Sequence, residues 1–235
     1  FTKRSTLIMS FLNNIVFAYY PYICLLFFLI GSIYRYENNQ YSWKSSSSQI
    51  LRKDLLFWGS NLFHFGILFL MFGHFFGLMT PKFIYSKIVS PDSKQLLAMI
   101  SGGIAGFFCL IGLTMLLYRR LTDFRIRVTS DKSDIFVLIL LYIQLLLGLF
   151  SIFISYQHIN DPSSMIALAN WVQGIFTFSP DIASYVINEH WIFKAHLFLG
   201  MTIFLIFPFT RLIHVFSFPY LYLLREGYQL LRSLK

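Results

Sequence analysis

Five long stretches of this chain carry almost no charge: approximately Ile15 to Ile33, Phe57 to Met79, Leu96 to Leu117, Ile135 to Ser155 and Trp191 to Val215. Each approaches or exceeds the run of about 20 apolar residues that spans the hydrocarbon of a bilayer as a helix. The hydrocarbon has no water to bond free backbone groups, so such a stretch must satisfy its N–H and C=O groups internally, as a helix does. The predicted fold is all-α, an integral membrane bundle of five transmembrane helices. Lys194 falls at the start of the fifth, where its long side chain can snorkel to the surface.

Composition agrees. Of 235 residues, 57% are hydrophobic, 20% aromatic and only 12% charged, far from the usual balance of a soluble domain. The net charge of +9 raises the question of nucleic acid, but no basic stripe with interleaved aromatics occurs. The Lys and Arg residues sit in the gaps between apolar runs, where they mark orientation. Arg35, Lys44, Arg52 and Lys53 fill the first gap. Arg119, Arg120, Arg125, Arg127 and Lys132 fill the third, and Arg211, Arg225, Arg232 and Lys235 lie near the C-terminus. The opposite side has Lys3, Arg4, Lys82, Lys87, Lys94 and Lys194. The more basic side is cytoplasmic, which predicts the N-terminus outside and the C-terminus in the cytoplasm. Met9 is read as the natural start, and N-terminal sequencing of the natural protein tests this.

Residues 1–218 form the predicted membrane domain. Residues 219–235 form a cytoplasmic helix or tail, with Leu221, Leu224, Tyr228 and Leu231 at helical intervals. The segment Ser163 to Phe178 is too short to span and, with Trp171, is expected to lie as an interfacial helix on the outer face. The Ser45 to Ser48 run is a loop. Cys24 and Cys109 both fall in apolar runs, so no disulfide is expected.

Of six histidines, four lie inside apolar stretches: His64 and His74 in the second, His196 and His214 in the fifth. An imidazole in hydrocarbon with unpaired nitrogens costs several kcal/mol, and an ionisable group at that depth is a functional candidate. A lone histidine in a helix more often packs than ligates; here the concentration carries the signal. On a straight helix His64 and His74 share one side about 15 Å apart, while His196 and His214 share a stripe about 27 Å apart. The spacing does not suit one zinc ion, which wants i, i+4 imidazoles or a nearby thiolate or carboxylate. Haem suits ligands reaching one ring from two helices, and without a CxxCH motif two haems would be non-covalent, b-type.

The second and fifth spans are antiparallel in this topology. His74 then pairs with His196 toward the outside, and His64 with His214 toward the cytoplasm. The two intervals differ by about 12 Å on ideal geometry, so straight helices do not match both pairs. Tilt, and a kink at Pro208, are expected to absorb the difference.

Longer runs surround these residues: YPYI from Tyr20, GSIYRYENNQYSW from Gly31 to Trp43, SNLFHFGIL from Ser60 and GHFFGLMTP from Gly73. Further on stand GGIAGFFCLIG from Gly102, RRL at Arg119, AHLFLGMT from Ala195 and FPFTRLIHVFSFP from Phe207 to Pro219. Across about residues 9 to 230 the chain resembles the gamma subunit of respiratory nitrate reductase, a membrane cytochrome b. The resemblance implies that His74 and His196 hold the iron of an outer haem b, and His64 and His214 that of an inner one. It also implies oxidation of a quinol, menaquinol or ubiquinol, near the outer haem, with Lys94 taking part in quinol binding. Taken alone, Lys94 reads as a surface anchor.

The implied partners are a beta subunit with iron–sulfur clusters and an alpha subunit with a molybdenum cofactor where nitrate is reduced, in anaerobic respiration at a bacterial-type inner, cytoplasmic membrane. Each electron carried against 100 mV would store about 2.3 kcal/mol. Arg119 and Arg120 are candidates to pair with a propionate of the inner haem; positive-inside anchoring accounts for them equally. Two alternatives stand beside this one. A related five-helix cytochrome b serves a sulfur-metabolism or heterodisulfide-type reductase. A non-redox transporter or structural membrane subunit would hold no haem.

Overall fold

The structure is a computed structural model, and residues 9–43 and 51–217 of it are described. The predicted tail at 219–235 and the Ser45–Ser48 loop lie outside the described residues. Among the described residues, five helices are long and apolar enough to cross a membrane: Met9–Asn38, Lys53–Met79, Pro91–Thr122, Lys132–Gln157 and Trp191–Phe209. Each predicted span falls on one of them. The α-helical elements, in order, are α1 (Tyr20–Asn38), α2 (Lys53–Met79), α3 (Lys82–Tyr85), α4 (Pro91–Thr122) and α5 (Phe124–Val128). They continue with α6 (Lys132–Gln157), α7 (Ser163–Thr177), α8 (Ser184–Ile187) and α9 (Trp191–Ile206).

Local chemistry sets several helix ends. At α4, Ser90 Oγ accepts from the Ser93 N–H at 3.3 Å and Pro91 occupies the first turn, where its missing donor costs nothing. Asp123 caps α5 by accepting from Arg125 N and Ile126 N at 3.0 and 3.3 Å. His190 caps α9 through Nδ1, which accepts from Ile192 N. His158 closes α6, its Nδ1 bonding the Ile154 carbonyl at 3.2 Å. The two histidines outside the apolar runs are thus used as helix-end residues. Lys194 donates its ammonium to the Ile187 carbonyl.

The first span is π-helical at Ile15–Tyr19 before α1 begins. Pro21 has no N–H for the carbonyl of Phe17, its α-helical partner four residues back. That carbonyl instead accepts the Trp171 indole N–H at 2.9 Å. Trp171 is fully buried with Phe17, Ile175, Ile182, Ala183 and Val186. The short helix expected here forms as α7, and its tryptophan is part of the packed end of the bundle. A buried indole needs an acceptor, and the proline-freed carbonyl is one.

The long helices pack in the spatial order α2, α4, α6, α9, α1, with α7 lying against α2. The α2–α4 contact is the most extensive, and it is a small-residue crossing of the kind that association in hydrocarbon favours. A Cβ on Gly66 would sit 2.7 Å from the Ala105 carbonyl oxygen and the Cys109 backbone nitrogen, so only glycine fits. Cys24 and Cys109 are buried free thiols, as expected. α2 and α9, which carry three of the four membrane histidines, make no comparable contact with each other among the described residues.

The fifth span is not one helix to Val215. α9 ends at Ile206, Phe207–Phe209 forms a 3-10 turn, Thr210 is extended (φ −121°, ψ 178°), and Arg211–Ser217 is a second 3-10 stretch. The predicted kink at Pro208 is a full break. A proline inside an α-helix costs about 3 kcal/mol or more, and ending the helix here avoids that cost. Arg35 of α1 bonds the freed backbone, donating Nη1 to the carbonyls of Pro208 and Thr210 at 2.7 and 2.9 Å.

Candidate functional site

Two pairs of imidazoles meet across the gap between α2 and the fifth span. The rings of His74 and His196 have centroids 6.1 Å apart, and those of His64 and His214 6.2 Å apart. These are the pairs expected from topology. The break after α9 answers the 12 Å mismatch, since the chain changes direction at Thr210 before it reaches His214.

The rings are oriented by hydrogen bonds on the nitrogen that faces the backbone. His64 Nδ1 bonds the Ser60 carbonyl at 2.7 Å, His74 Nδ1 the Leu70 carbonyl at 2.7 Å, and His214 Nδ1 the Arg211 carbonyl at 2.6 Å. A carbonyl only accepts, so Nδ1 carries the proton in all three and Nε2 is left with a lone pair. This is the arrangement of a metal-ligating histidine, whose second nitrogen is held by an acceptor.

His196 differs. Its Nδ1 is buried without a hydrogen-bond partner among the described residues, as is Oε1 of Gln144. Gln144 Nε2 lies 3.4 Å from His196 Nε2 and donates to the His196 carbonyl at 3.1 Å. One turn along α6, Gly148 lets the ring approach, for a Cβ there would lie 3.1 Å from His196 Cε1.

The donor set fits haem iron. Two imidazoles bound through Nε2 to one metal, at bonds of about 2.0 Å, would place their ring centroids about 6.3 Å apart. The observed separations match that value, and they are too long for a direct hydrogen bond between the rings. Among the described residues no three or more His, Cys, Asp or Glu side chains gather as a compact ion site. The donors come in two pairs, each drawn from two segments, as ligands reaching one macrocycle from two helices would.

Other predicted residues fall at the two ends. Lys94, in the first turn of α4, shares the end of the bundle that holds His74 and His196. Its Nζ lies 3.6 Å above the centroid of the Tyr85 ring. Partial burial pushes the Tyr85 phenol above its ordinary value, so a neutral ring lies beneath the ammonium. Arg119 and Arg120, at the opposite end with His64 and His214, are buried and bonded to the chain itself. Arg119 Nη2 donates to the Leu51 carbonyl at 2.7 Å. Arg120 Nη1 pairs with Asp134 Oδ2 at 3.1 Å, and Arg211 Nη1 reaches the same oxygen at 3.2 Å.

Gln144, Gly148, Asp134 and Arg35 did not stand out in the sequence. Gln144 had a readable signal as the one amide inside the long apolar run of α6. Asp134 is one of three aspartates, with Asp123 and Asp131, in and beside a gap rich in cations.

Known proteins can now be set beside this geometry. The sequence model of the nitrate reductase gamma subunit family matches residues 13–234. The chain is 47% identical over 225 residues to the respiratory nitrate reductase 2 gamma chain of Escherichia coli (strain K12), covering 95% of this chain and 98% of that one. It is also 47% identical over 225 residues to the respiratory nitrate reductase 1 gamma chain of the same organism, covering 96% and 99%. It is similar to the nitrate reductase gamma chain of Bacillus subtilis (strain 168), at 38% identity over 215 residues, covering 91% and 96%.

Proposed function

The chain belongs to the nitrate reductase gamma subunit family, and from that premise we propose that it is the quinol-oxidising cytochrome b of the complex. It is a multi-pass membrane subunit of an oxidoreductase. The observation that carries the proposal is the pair of opposed imidazole couples at 6.1 and 6.2 Å, one toward each end of the bundle and each with the separation of two ligands on one iron.

His74 and His196 hold one b haem, and His64 and His214 the other. Bound there, haem would supply one-electron relay along the bundle. Ser60, Leu70 and Arg211 hold the protons of His64, His74 and His214 on Nδ1, which keeps Nε2 free to ligate. Lys94 presents N–H donors at the His74/His196 end, where they bind a quinol oxygen and stabilise the carbonyl that forms as the quinol is oxidised. Tyr85 holds that ammonium by a cation–π contact. Quinol protons leave at this end.

The excess of Lys and Arg at the other end makes that end cytoplasmic and the Lys94 end external. The N-terminus is then outside, in a bacterial-type inner membrane. The cytoplasmic partners are an iron–sulfur beta subunit and a molybdenum-containing alpha subunit that reduces nitrate.

The test is a pyridine-haemochrome assay, with reduced-minus-oxidised spectra, on the purified complex. Two b haems per gamma chain, both reduced by added quinol, are expected. A preparation with the full chain and no b haem would overturn the assignment.

A further inference from the structure

His214 is the one membrane histidine that does not stand on an α-helix. It lies in the 3-10 stretch Arg211–Ser217, beyond the extended Thr210. A regular helix fixes its own carbonyls by i→i−4 bonds, and α2 therefore presents the carbonyls of Ser60 and Leu70 to its histidines without outside help. The carbonyl that orients His214 is that of Arg211, the first residue after the break. Something outside the segment must hold it.

Two contacts do so. Arg35 of α1 bonds the carbonyls just before Arg211, at Pro208 and Thr210. On the other side, Asp134 in the first turn of α6 receives the Arg211 guanidinium on Oδ2, the oxygen that also takes Arg120 of α4. Asp134 is 7% exposed. A carboxylate so placed is retained only with its cations, and one oxygen shared by two guanidiniums from two different segments has little freedom to move.

We propose that Asp134 is a positioning residue for His214: through Arg211 it ties the 3-10 segment to α6 and α4, and so sets the angle and position of the imidazole that faces His64. This rests on the reading of His64 and His214 as haem ligands. In that reading the two haems are held differently. At the His74/His196 end the Leu70 carbonyl of α2 orients His74, and at the other end the orientation of His214 depends on a buried charge.

The test uses the intact complex carrying Asp134→Asn and Asp134→Glu, with the unsubstituted complex alongside. Each haem is followed by its low-spin ferric EPR signal, which depends on the angle between the two imidazole planes, and by a redox titration. Asp134→Asn keeps the shape and removes the charge. It is expected to move or broaden the signal of the His64/His214 haem and to raise its midpoint potential, because two cations lose their counter-charge and favour the reduced form. A tenfold change in that haem's reduction equilibrium is expected, about 59 mV for one electron. The other haem stays as it was, and Asp134→Glu, which keeps the charge, shows little of the shift.

Where Asp134→Asn fails to assemble, Arg211→Lys reads the same link and is expected to move the same signal. Unchanged signals and potentials in these variants would overturn the proposal. So would equal changes in both haems, the mark of a general packing role. An unsubstituted complex without two b haems would instead overturn the ligand assignment on which the proposal stands.

Discussion

The imidazoles of His64 and His214 face each other with ring centroids 6.2 Å apart, one carried by a regular α-helix and the other by a 3-10 segment beyond a break in the chain. On one continuous helix His214 would stand about 27 Å from His196, against about 15 Å between His64 and His74. Stretching the chain does not solve this, because a 3-10 helix rises about 2.0 Å per residue, more than an α-helix. Only a change of direction does, and Thr210, extended between two 3-10 stretches, provides it.

Because the imidazoles come as two separate couples, the haems should be lost one at a time. His214→Ala is expected to reduce the haem content from two per chain to one, sparing the haem at the His74/His196 end. His74→Ala should do the opposite and also abolish quinol oxidation. Haemochrome stoichiometry and quinol kinetics on the purified variants check both, and a chain that keeps two haems in either variant contradicts the pairing.

The Lys94–Tyr85 contact predicts a graded series. Lys94→Ala should raise the KM for quinol while both haems remain. Tyr85→Phe keeps the ring face and should leave KM within about twofold, whereas Tyr85→Ala removes a cation–π contact worth about 1 kcal/mol and should raise it about fivefold. Steady-state quinol oxidation distinguishes these, and equal effects of the two Tyr85 substitutions would show that the ring face is not what holds the ammonium.

Gly148→Val would place a branched side chain where even a Cβ lies 3.1 Å from His196 Cε1. The expected result is a shifted low-spin signal, or loss, of the haem at the His74/His196 end alone. Gln144→Leu tests the same neighbourhood from its polar side: it removes the amide that donates to the His196 carbonyl, and a changed signal of that haem alone is expected. EPR and haem titration read both.

Gly66→Val addresses packing. The backbone of α4 lies against this position, so added methyl groups must push α2 away. A loss of about 1–3 kcal/mol is the ordinary cost of overpacking. Thermal unfolding of the detergent-solubilised complex should show it, and an unchanged transition would mean that the crossing has more slack than its geometry implies.

The spans were legible from sequence because they are set by local composition: about 20 uncharged residues need no tertiary information to become a membrane helix. The histidine pairs were legible because the second and fifth of five successive spans run antiparallel, which fixes which ends meet. What holds Trp171 was not legible, for the converse reason. A tryptophan beside a short apolar helix has the composition of an interfacial anchor, and only the fold reveals that Pro21 leaves the Phe17 carbonyl open to its indole. Gln144 and Asp134 were passed over because an amide in an apolar run and one aspartate among three near a loop acquire meaning only from what lies across the bundle.

The sequence by itself determined five membrane helices, four histidines at two depths and the family to which the chain belongs. The tertiary structure alone decided how His214 reaches His64, which carbonyls hold three of the imidazoles, and that Arg120 and Arg211 share one oxygen of Asp134. The physical reason is range. Helix formation in hydrocarbon follows from neighbours along the chain. The position of a ring beyond a helix break follows from the dihedral angles at Thr210 and from bonds to Arg35 and Asp134, far away in sequence.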